Sequence, residues 1–309
     1  MTADLPEQPG QCAACGGSMA ATAARKSLLA HSNGKRYTLY LCPRCEIGFW
    51  WPLQADPSIY VDEGFDAYKD YHSGTRPFPR WAEPLFDALP DRRGAALDIG
   101  CGDGSVLRRL SAQGFAAYGI DLDPKSVAIA RDKYGLENVL ALTLTEWKQR
   151  CDASGTRFDL ITFFEVLEHQ DAPLAFLADV IALGVPGAMV AGSVPNRMRF
   201  LAPLQRMFSD GDLPPHHFLW FSKAALRRLL ERAGLTDIGI DYAGGMSYGT
   251  VLSKLVATGW HKAARAGAAR FALLPLAVLA PFAAAVLWLG GTLAPQNLFF
   301  RCRTAPRTH

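Results

Sequence analysis

The sequence predicts an α/β protein built on a doubly wound, seven-stranded and mostly parallel sheet. Between residues 91 and 244, short apolar runs alternate with helical patterns, an alternation that is typical of repeated βα units. The first apolar run ends in three closely spaced glycines, which allow the sharp strand-to-helix turn found at the edge of such sheets. One more strand-like run, residues 297–303, completes the seven strands.

Local patterns predict the position of each element. Strands are predicted at residues 95–99, 116–121, 138–143, 158–164, 188–194, 236–242 and 297–303. Helices are predicted at residues 81–89, 105–113, 124–134, 171–183 and 222–233. The last of these helices carries apolar side chains at helical spacing, namely Ala225, Leu226, Leu229 and Leu230.

Composition divides the 309 residues into five predicted segments. They are a cysteine-bearing segment at 1–50, a connector with one helix at 51–90, the sheet region at 91–244, an apolar helical insertion at 245–296, and the last strand with its tail at 297–309. The net charge of +3 is distributed unevenly along the chain, because Asp241 is the last acidic residue. The part of the chain after Asp241 carries seven basic side chains, whereas the part before it has 25 basic and 29 acidic ones.

Four of the seven cysteines form two C-x-x-C pairs that are separated by 26 residues. Two such turns can bring four thiolates to the corners of a tetrahedron, the geometry that structural Zn²⁺ prefers. The predicted ligands are Cys12, Cys15, Cys42 and Cys45. Since four protein ligands leave no position for water, we expect a structural zinc ribbon. The alternative is two unrelated turns with free thiols.

The glycine turn follows the first predicted strand and suits a ligand at the carboxyl edge of the sheet. Gly100, Gly102 and Gly104 recur at a spacing of two, which differs from the G-x-G-x-x-G fingerprint of dinucleotide sites, so a pyrophosphate is not the favoured ligand. The second strand ends at Asp121. A carboxylate there can accept hydrogen bonds from the two hydroxyls of a ribose, and it would repel a 2′-phosphate.

These motifs together resemble the class I S-adenosylmethionine-dependent methyltransferases over residues 91–244. The resemblance implies that S-adenosyl-L-methionine is the cofactor, with its methionine end at the glycine turn, its ribose on Asp121 and its adenine against Leu122. Such enzymes often place an acidic residue at the end of the third strand, where this chain has Thr143 and Leu144. The implied cofactor residues are Asp98, Gly100, Cys101, Gly102, Gly104, Asp121, Leu122, Thr143, Leu144, Phe164 and Glu165.

The fourth predicted strand leads into Glu165-Val166-Leu167-Glu168-His169, which looks especially like the ubiquinone-biosynthesis O-methyltransferases. If residues 165–169 are helical, Glu165, Glu168 and His169 share a face and could bind a divalent cation. The interpretation that we favour is simpler. Glu165 borders the cofactor, and the Glu168-His169 pair steadies the loop.

Methyl transfer to a hydroxyl requires a base that removes its proton, and histidine is the side chain whose pKa lies near neutrality. The candidates are His169, His216 and His217, the last two in a loop that covers the acceptor in similar enzymes. We predict that replacing His217 by alanine abolishes turnover. The alternative is that these histidines only anchor the loop to the helix capped by Ser222.

The insertion contains nineteen consecutive residues without a polar side chain, Phe271 to Leu289. That length would suffice to span a bilayer, but a single span would separate the last strand from the sheet. A monotopic or re-entrant hairpin at the cytoplasmic face of a membrane is therefore predicted, with Lys254, Lys262, Arg265 and Arg270 near anionic headgroups. The alternative is a hairpin buried in the domain or in a dimer. The first ten residues lack the features of a signal peptide, so we expect the body in the cytoplasm.

The predicted function is methyl transfer to oxygen of a lipidic or lipid-linked small molecule at a membrane surface. An alternative is an RNA methyltransferase whose zinc ribbon positions nucleic acid, but residues 1–80 hold eight basic and eight acidic side chains, without the basic excess that phosphate binding requires. A non-catalytic cofactor-binding scaffold is a third possibility. The sequence leaves the acceptor and the oligomeric state open.

Overall fold

A computed structural model describes residues 8–19, 23–30, 33–55, 72, 74, 76–200, 202, 210–245, 252, 281–292 and 295–306. Its strands are β1 (Ala24–Leu29), β2 (Arg36–Leu41), β3 (Gly48–Trp51), β4 (Ala95–Ile99), β5 (Ala116–Asp121), β6 (Val139–Ala141), β7 (Phe158–Phe164), β8 (Gly184–Pro195), β9 (Leu219–Trp220), β10 (Thr236–Ala243) and β11 (Asn297–Arg303). Its helices are α1 (Glu83–Asp87), α2 (Ser105–Ala112), α3 (Pro124–Tyr134), α4 (Leu144–Ser154), α5 (Pro173–Leu183) and α6 (Lys223–Arg232).

The larger sheet has seven strands in the order β10-β11-β8-β7-β4-β5-β6. The pairs within β8-β7-β4-β5-β6 are parallel, and β11 is antiparallel to both β8 and β10. The central strand β7 reads FDLITFF and is buried along almost its whole length, as a strand covered by helices on both faces requires. The predicted doubly wound, mostly parallel seven-stranded sheet is thus confirmed.

Helix termini along the carboxyl edge of the sheet are fixed by local capping. Asp123 caps α3 by accepting hydrogen bonds from the backbone N–H groups of Lys125 and Ser126, and Gly135 ends that helix in a left-handed conformation. Ser222 accepts a hydrogen bond from the Ala225 N–H and caps α6, as predicted. These caps hold the loops that follow the strands, and those loops carry the candidate site.

The structure adds elements that local patterns did not predict. The third strand ends at Ala141 instead of residue 143, and α4 follows it at once. Helix α4 buries only Trp147 and Cys151, so its apolar pattern is too sparse to indicate a helix. Strand β9, two residues long, was also not predicted. The helix expected at 81–89 is shortened to α1, which ends before Pro90.

A smaller antiparallel sheet has the order β1-β2-β3-β9, so its first three strands come from the cysteine-bearing segment and the fourth from the sheet region. Side chains from both parts, such as Trp50, Phe218 and Leu226, belong to one continuous hydrophobic cluster. The cysteine-bearing segment therefore shares its core with the seven-stranded body.

The insertion leaves and re-enters the sheet at one place. Ala243 of β10 lies opposite Asn297 of β11, which in turn lies opposite Pro195 at the end of β8. This is the carboxyl edge of the parallel strands. Of the predicted apolar run, residues 281–289 belong to a helical stretch at 281–292, whereas residues 271–280 and nearly all of the preceding basic stretch lie outside the described residues. Within the described part of the chain, no helix has the length and apolarity needed to cross a bilayer.

Candidate active site

A cavity of about 340 Å³ opens where β4, β5, β6 and β7 end. Its wall includes eight of the eleven predicted cofactor residues, namely Gly100, Gly102, Asp121, Leu122, Thr143, Leu144, Phe164 and Glu165. Apolar side chains such as Ile99 and Phe176 and the polar groups of His169 and Gln170 complete it. The structure therefore brings most of the predicted set together at the edge where open α/β sheets bind ligands.

The glycine turn forms one wall of this cavity. Gly100 has φ of 72°, and a Cβ there would lie 2.6 Å from Cγ2 of Val166. Gly104 has φ of 76° and contacts α3 instead of the cavity, because a Cβ there would lie 2.9 Å from Cβ of Ala130. Gly100 thus lets the backbone approach the cavity, whereas Gly104 lets α2 begin close to α3.

Asp121 connects the glycine turn to the end of β5. One carboxylate oxygen accepts a hydrogen bond from the Gly102 N–H at 2.8 Å and the other accepts one from the Asp123 N–H at 2.9 Å. Burial raises the pKa of Asp121. Since a carboxylate oxygen has two acceptor sites, each oxygen keeps one for a ligand hydroxyl.

Asp98 and Cys101 lie behind the cavity wall. Asp98 is fully buried, and its carboxylate accepts a hydrogen bond of 2.7 Å from the Thr162 hydroxyl. Burial raises the pKa of Asp98 to about 7, and it raises the pKa of the Cys101 thiol well above its usual range. Both side chains can act on a ligand only through the turn that they support.

Thr143 caps α4, and this cap brings an additional carboxylate to the end of β6. The Thr143 N–H and hydroxyl donate to one oxygen of Glu146, at 2.8 and 2.7 Å, and the Glu146 N–H donates to the Thr143 hydroxyl. Hydrogen bonding to Thr143 lowers the pKa of Glu146. Glu146 is not among the predicted site residues, although the T-x-x-E spacing is a signal for a capping box.

Glu165 adopts a conformation that separates it from Glu168. Its φ is 56°, a region that non-glycine residues rarely occupy, and two hydrogen bonds hold its carboxylate. Oε1 of Glu165 accepts from the Ser193 hydroxyl at 2.7 Å and from the Asn297 amide at 2.8 Å. Residues 165–169 therefore do not form the helix considered above; only a 3-10 turn forms, at Leu167–His169.

A cluster of three ionisable groups includes His169 of the cavity wall. Glu168 is fully buried, and neither of its carboxylate oxygens has a hydrogen-bond partner among the described residues. Oε1 of Glu168 lies 4.0 Å from Nε2 of His169 and 3.9 Å from Nε2 of His217. Burial raises the pKa of Glu168 well above its usual range. One ligand atom from each of the three residues lies within 4.8 Å of the others, so these groups, and not the set that includes Glu165, could hold a cation.

The two histidine rings of this cluster contact each other, with centroids 4.7 Å apart. Nδ1 of His169 lies 2.6 Å from the His216 carbonyl oxygen, so Nδ1 carries the proton and Nε2 is the acceptor. Burial lowers the pKa of His169 to about 3, which keeps this ring neutral. His169 lines the cavity, His217 lies behind it, and His216 contributes its carbonyl group.

Asp212, which was not predicted as a site residue, fixes the His217 ring and is itself held by Arg199 and Trp220. Asp212 lies 3.3 Å from Nδ1 of His217, and its other carboxylate oxygen lies 2.9 Å from the Arg199 guanidinium, with both side chains almost fully buried. The Trp220 indole N–H donates to the Asp212 carbonyl at 2.9 Å. Asp212 thereby orients the His217 ring with Nε2 towards Glu168. No local pattern links these residues, because the folded chain alone brings them together.

The four paired cysteines converge as the sequence predicts. Sγ of Cys12 lies 3.6 Å from Sγ of Cys45, and Sγ of Cys15 lies 3.7 Å from Sγ of Cys42. These distances are far too long for disulfides, and they match the separation of about 3.8 Å between sulfurs bonded tetrahedrally to Zn²⁺ at about 2.3 Å. The cluster is thus compatible with a structural zinc site.

The two cysteine turns share one backbone geometry. Cys12 and Cys42 each accept a hydrogen bond from a left-handed residue four positions later, Gly16 (φ 64°) and Glu46 (φ 63°). Hydrogen bonding from Cys45 lowers the pKa of Cys12 to about 5. The same contact raises the pKa of Cys45, so this pair of sulfurs shares one proton.

A family model described as a methyltransferase domain matches residues 74–239. Two curated relatives are both named ubiquinone biosynthesis O-methyltransferase. The protein from Hahella chejuensis is 32% identical over 112 residues, which cover 36% of this chain and 46% of that protein. The protein from Bordetella avium is 29% identical over 212 residues, which cover 65% of this chain and 80% of that protein. The chain thus spans about half the length of the first relative and four fifths of the second.

Solved structures agree in fold. A chain from the complex between the Haloferax volcanii Trm112 methyltransferase activator and a putative methyltransferase has a TM-score of 0.52 at 18% identity, covering 81% of this chain and 99% of that one. Haemonchus contortus phosphoethanolamine N-methyltransferase 2, in complex with phosphomonomethylethanolamine and S-adenosylhomocysteine, has a TM-score of 0.51 at 15% identity, covering 84% and 62%. The chain belongs to the methyltransferase-domain family, and its fold is that of the class I S-adenosylmethionine-dependent methyltransferases.

Proposed function

We propose that this chain transfers a methyl group from S-adenosyl-L-methionine to an oxygen atom of a lipidic or lipid-linked acceptor at a membrane surface. One observation carries the proposal. The cavity that contains the predicted cofactor residues opens at the same edge of the sheet from which the apolar insertion emerges. A membrane bound by the insertion would then lie beside the site of reaction.

The lining of the cavity supports the proposed cofactor through its glycine backbone, one carboxylate and one apolar side chain. The backbone at Gly100 and Gly102 lies open to the methionine end, Asp121 keeps acceptor sites for the ribose hydroxyls, and Leu122 offers an apolar face to the adenine. When bound, S-adenosylmethionine supplies a methyl group on a sulfonium that is already activated for displacement. The protein therefore has to align the acceptor and to remove its proton.

The proton of a hydroxyl acceptor would pass to the imidazole pair of His169 and His217. Nε2 of His169 is unprotonated and belongs to the cavity wall, so it can accept a hydrogen bond from the acceptor hydroxyl, and the Glu168 carboxyl lies 4.0 Å away. His217 lies behind it, with its Nδ1–H held by Asp212. The names of the curated relatives support oxygen as the acceptor atom.

An exposed apolar patch supports the membrane part of the proposal. It consists of Met198 and Phe200 after β8 and of Phe282, Val286 and Leu289 on the helical stretch 281–292, all between 46% and 74% exposed. The Phe200 ring packs against Gly290, so the two parts form one surface. Apolar patches of this kind mark interaction sites.

The patch is anchored next to the cavity. The Asn196 side chain donates to the Pro295 carbonyl at 3.0 Å, and its N–H donates to the Gln296 carbonyl at 2.8 Å. Asn297, the next residue, holds Glu165. The sequence adds four basic side chains between residues 254 and 270, each worth about 1 kcal/mol near an anionic membrane.

The acceptor class is tested by incubating membrane extracts with the protein and radiolabelled S-adenosylmethionine, and then separating lipid, RNA and protein. We expect the label in the lipid fraction. Label confined to RNA would overturn the proposal in favour of an RNA methyltransferase.

Membrane binding is tested by sedimentation with vesicles of phosphatidylglycerol and phosphatidylcholine. The double variant Phe282→Asp/Leu289→Asp should lose at least tenfold in binding. Leu29→Asp is the matched control, because Leu29 is 45% exposed on β1 and lies outside the patch. Equal binding by both variants would contradict the role of the patch.

A further inference from the structure

We infer that the zinc ribbon, which consists of the two cysteine turns with β1, β2 and β3, is a positioning element for the acceptor side of the active site. The inference rests on the proposed function for the role of His217. It follows from two sets of contacts between the ribbon and the segment His216–Phe221, and from a third set that attaches the cysteine turns to Ser222 and Arg232. None of these contacts involves the walls of the cofactor cavity.

The first contact is a shared sheet. Gly48 and Phe49 of β3 pair with Trp220 and Leu219 of β9, and the Trp50 N–H extends the ladder by donating to the Phe218 carbonyl at 3.0 Å. Because the hydrogen bonds of a ladder fix register, they fix the position of the residues that precede β9 along the chain. His217 is directly next to Phe218.

The same segment is tied to the acceptor cluster from its other side. The Phe218 N–H donates to the Glu168 carbonyl at 2.9 Å, and the Trp220 indole N–H donates to the Asp212 carbonyl. Phe218 thus lies between Trp50 of the ribbon and Glu168 of the site, bonded through its backbone to both. A shift of β3 would move Phe218 and His217 together, relative to Glu168 and Asp212.

Aromatic packing makes the link between the ribbon and Phe218 rigid. Phe218 is fully buried, and its ring meets that of Tyr37 on β2 edge to face with centroids 5.9 Å apart. The rings of Trp50 and Trp220 meet in the same manner at 5.5 Å. Close-packed aromatic contacts of this kind leave little freedom for independent movement of the two partners.

The cysteine turns themselves are attached along α6. The Arg232 guanidinium donates to the Ala14 carbonyl at 3.3 Å in the first turn, and the Ser222 hydroxyl donates to the Glu46 carboxylate at 3.4 Å in the second. Ser222 directly follows the segment His216–Phe221. Since a short ribbon has little core of its own, metal binding to the four cysteines would supply much of its stability. That stability would fix the position of β3 and, through the ladder, of the segment His216–Phe221.

Removal of the metal tests this inference without any methyl acceptor. The purified protein is treated with a zinc chelator, and amide hydrogen exchange of residues 216–221 is compared with that of residues 95–104. We expect exchange at 216–221 to become at least tenfold faster, while exchange at 95–104 and the affinity for S-adenosylhomocysteine each change less than twofold. Added Zn²⁺ should restore protection. Unchanged protection at 216–221, or equal loss at 95–104, would overturn the inference.

A variant that keeps all four cysteines separates positioning from metal loss. Tyr37→Ala removes the ring that packs on Phe218, whereas Tyr37→Phe keeps it and serves as the matched control. We expect faster exchange at 216–221 in the first variant only, with one zinc per chain in both. If Tyr37→Ala binds no zinc, Arg232→Ala replaces it, with the same expected increase in exchange. Full protection at 216–221 in a zinc-loaded variant would contradict the inference. Because neither readout needs an acceptor, a failure of this inference can be told apart from a failure of the proposed function.

Discussion

The cofactor side of the cavity is formed by consecutive strand ends, whereas the acceptor side is assembled from segments far apart in the chain. Gly100 and Gly102 follow β4, Asp121 ends the adjacent strand β5, and the Gly102 N–H donates to the Asp121 carboxylate. On the acceptor side, His169 follows β7, while Asp212 and His217 belong to a loop that the ribbon supports. The first half is therefore specified locally, and the second depends on tertiary contacts. The predictions below test this division.

The largest effect is expected from His217→Ala, which removes one ring of the imidazole pair. General-base catalysis is typically worth 10²- to 10⁴-fold, so kcat should fall by that range once an acceptor is available. Affinity for S-adenosylhomocysteine, measured by calorimetry, should change less than twofold. A near-normal kcat would exclude His217 from the reaction, and a parallel loss of cofactor affinity would show that the two sides are not separable.

Asp121→Ala should affect mainly the affinity for S-adenosylhomocysteine, in contrast to His217→Ala. It removes the acceptor of the Gly102 and Asp123 N–H groups and the expected partner of the ribose. Two hydrogen bonds to a charged group at about 1.5 kcal/mol each correspond to on the order of 10²-fold in affinity for S-adenosylhomocysteine. Asp132→Asn, at an exposed position on α3, is the control and should bind normally. Normal binding by Asp121→Ala would remove Asp121 from the cofactor site.

The raised pKa of Asp98 predicts that the free energy of unfolding depends on pH. Its pKa of about 7 in the folded protein lies above the usual value of about 3.9, so between these values the folded state holds a proton that the unfolded state has lost. The contribution of Asp98 to the free energy of unfolding therefore falls as pH rises between these two values, by about 1.4 kcal/mol for each pH unit.

Asp98→Asn cannot titrate at this position. From pH 5 to pH 7, urea unfolding should show the wild type losing about 2–3 kcal/mol relative to this variant. Parallel pH profiles for the two proteins would mean that Asp98 is ionised throughout this range.

Asp212→Asn should have the smallest effect. The amide oxygen can still accept from Nδ1–H of His217, but it carries no charge to stabilise the imidazolium or to pair with Arg199. We expect about a tenfold lower kcat, in line with the loss of roughly 1.4 kcal/mol of charge-assisted hydrogen bonding. The affinity for S-adenosylhomocysteine should stay constant. A kcat equal to that of the wild type would show that Asp212 only fills space.

The same division explains what the sequence alone could predict. The strands of the large sheet, the glycine turn, Asp121 and the four converging cysteines each depend on residues that are neighbours or lie in paired turns. Local patterns therefore suffice for them. Helix α4 was not predicted because only Trp147 and Cys151 are buried in it, although its capping box is present in the sequence.

Other features exist only in the folded chain. The left-handed conformation of Glu165 is held by Ser193 and Asn297, which are 28 and 132 residues away. Glu165 therefore does not share a face with Glu168, contrary to the helical spacing that would align them. The contacts of Asp212 with His217 and Arg199 likewise depend on loop packing. Periodicity cannot indicate such contacts, since it reports only which residues of one element face the same way.

The bond from Asn297 to Glu165 has a consequence for the order of folding. Strand β8 pairs with β11 about a hundred residues later in the chain, and Glu165 receives its second hydrogen bond only when β11 is in place. During synthesis, the cofactor half of the cavity can thus form before the ribosome has translated the insertion, whereas Glu165 gains its final support only afterwards. If the insertion binds a membrane as proposed, a nascent chain would meet that membrane before β11 supports Glu165.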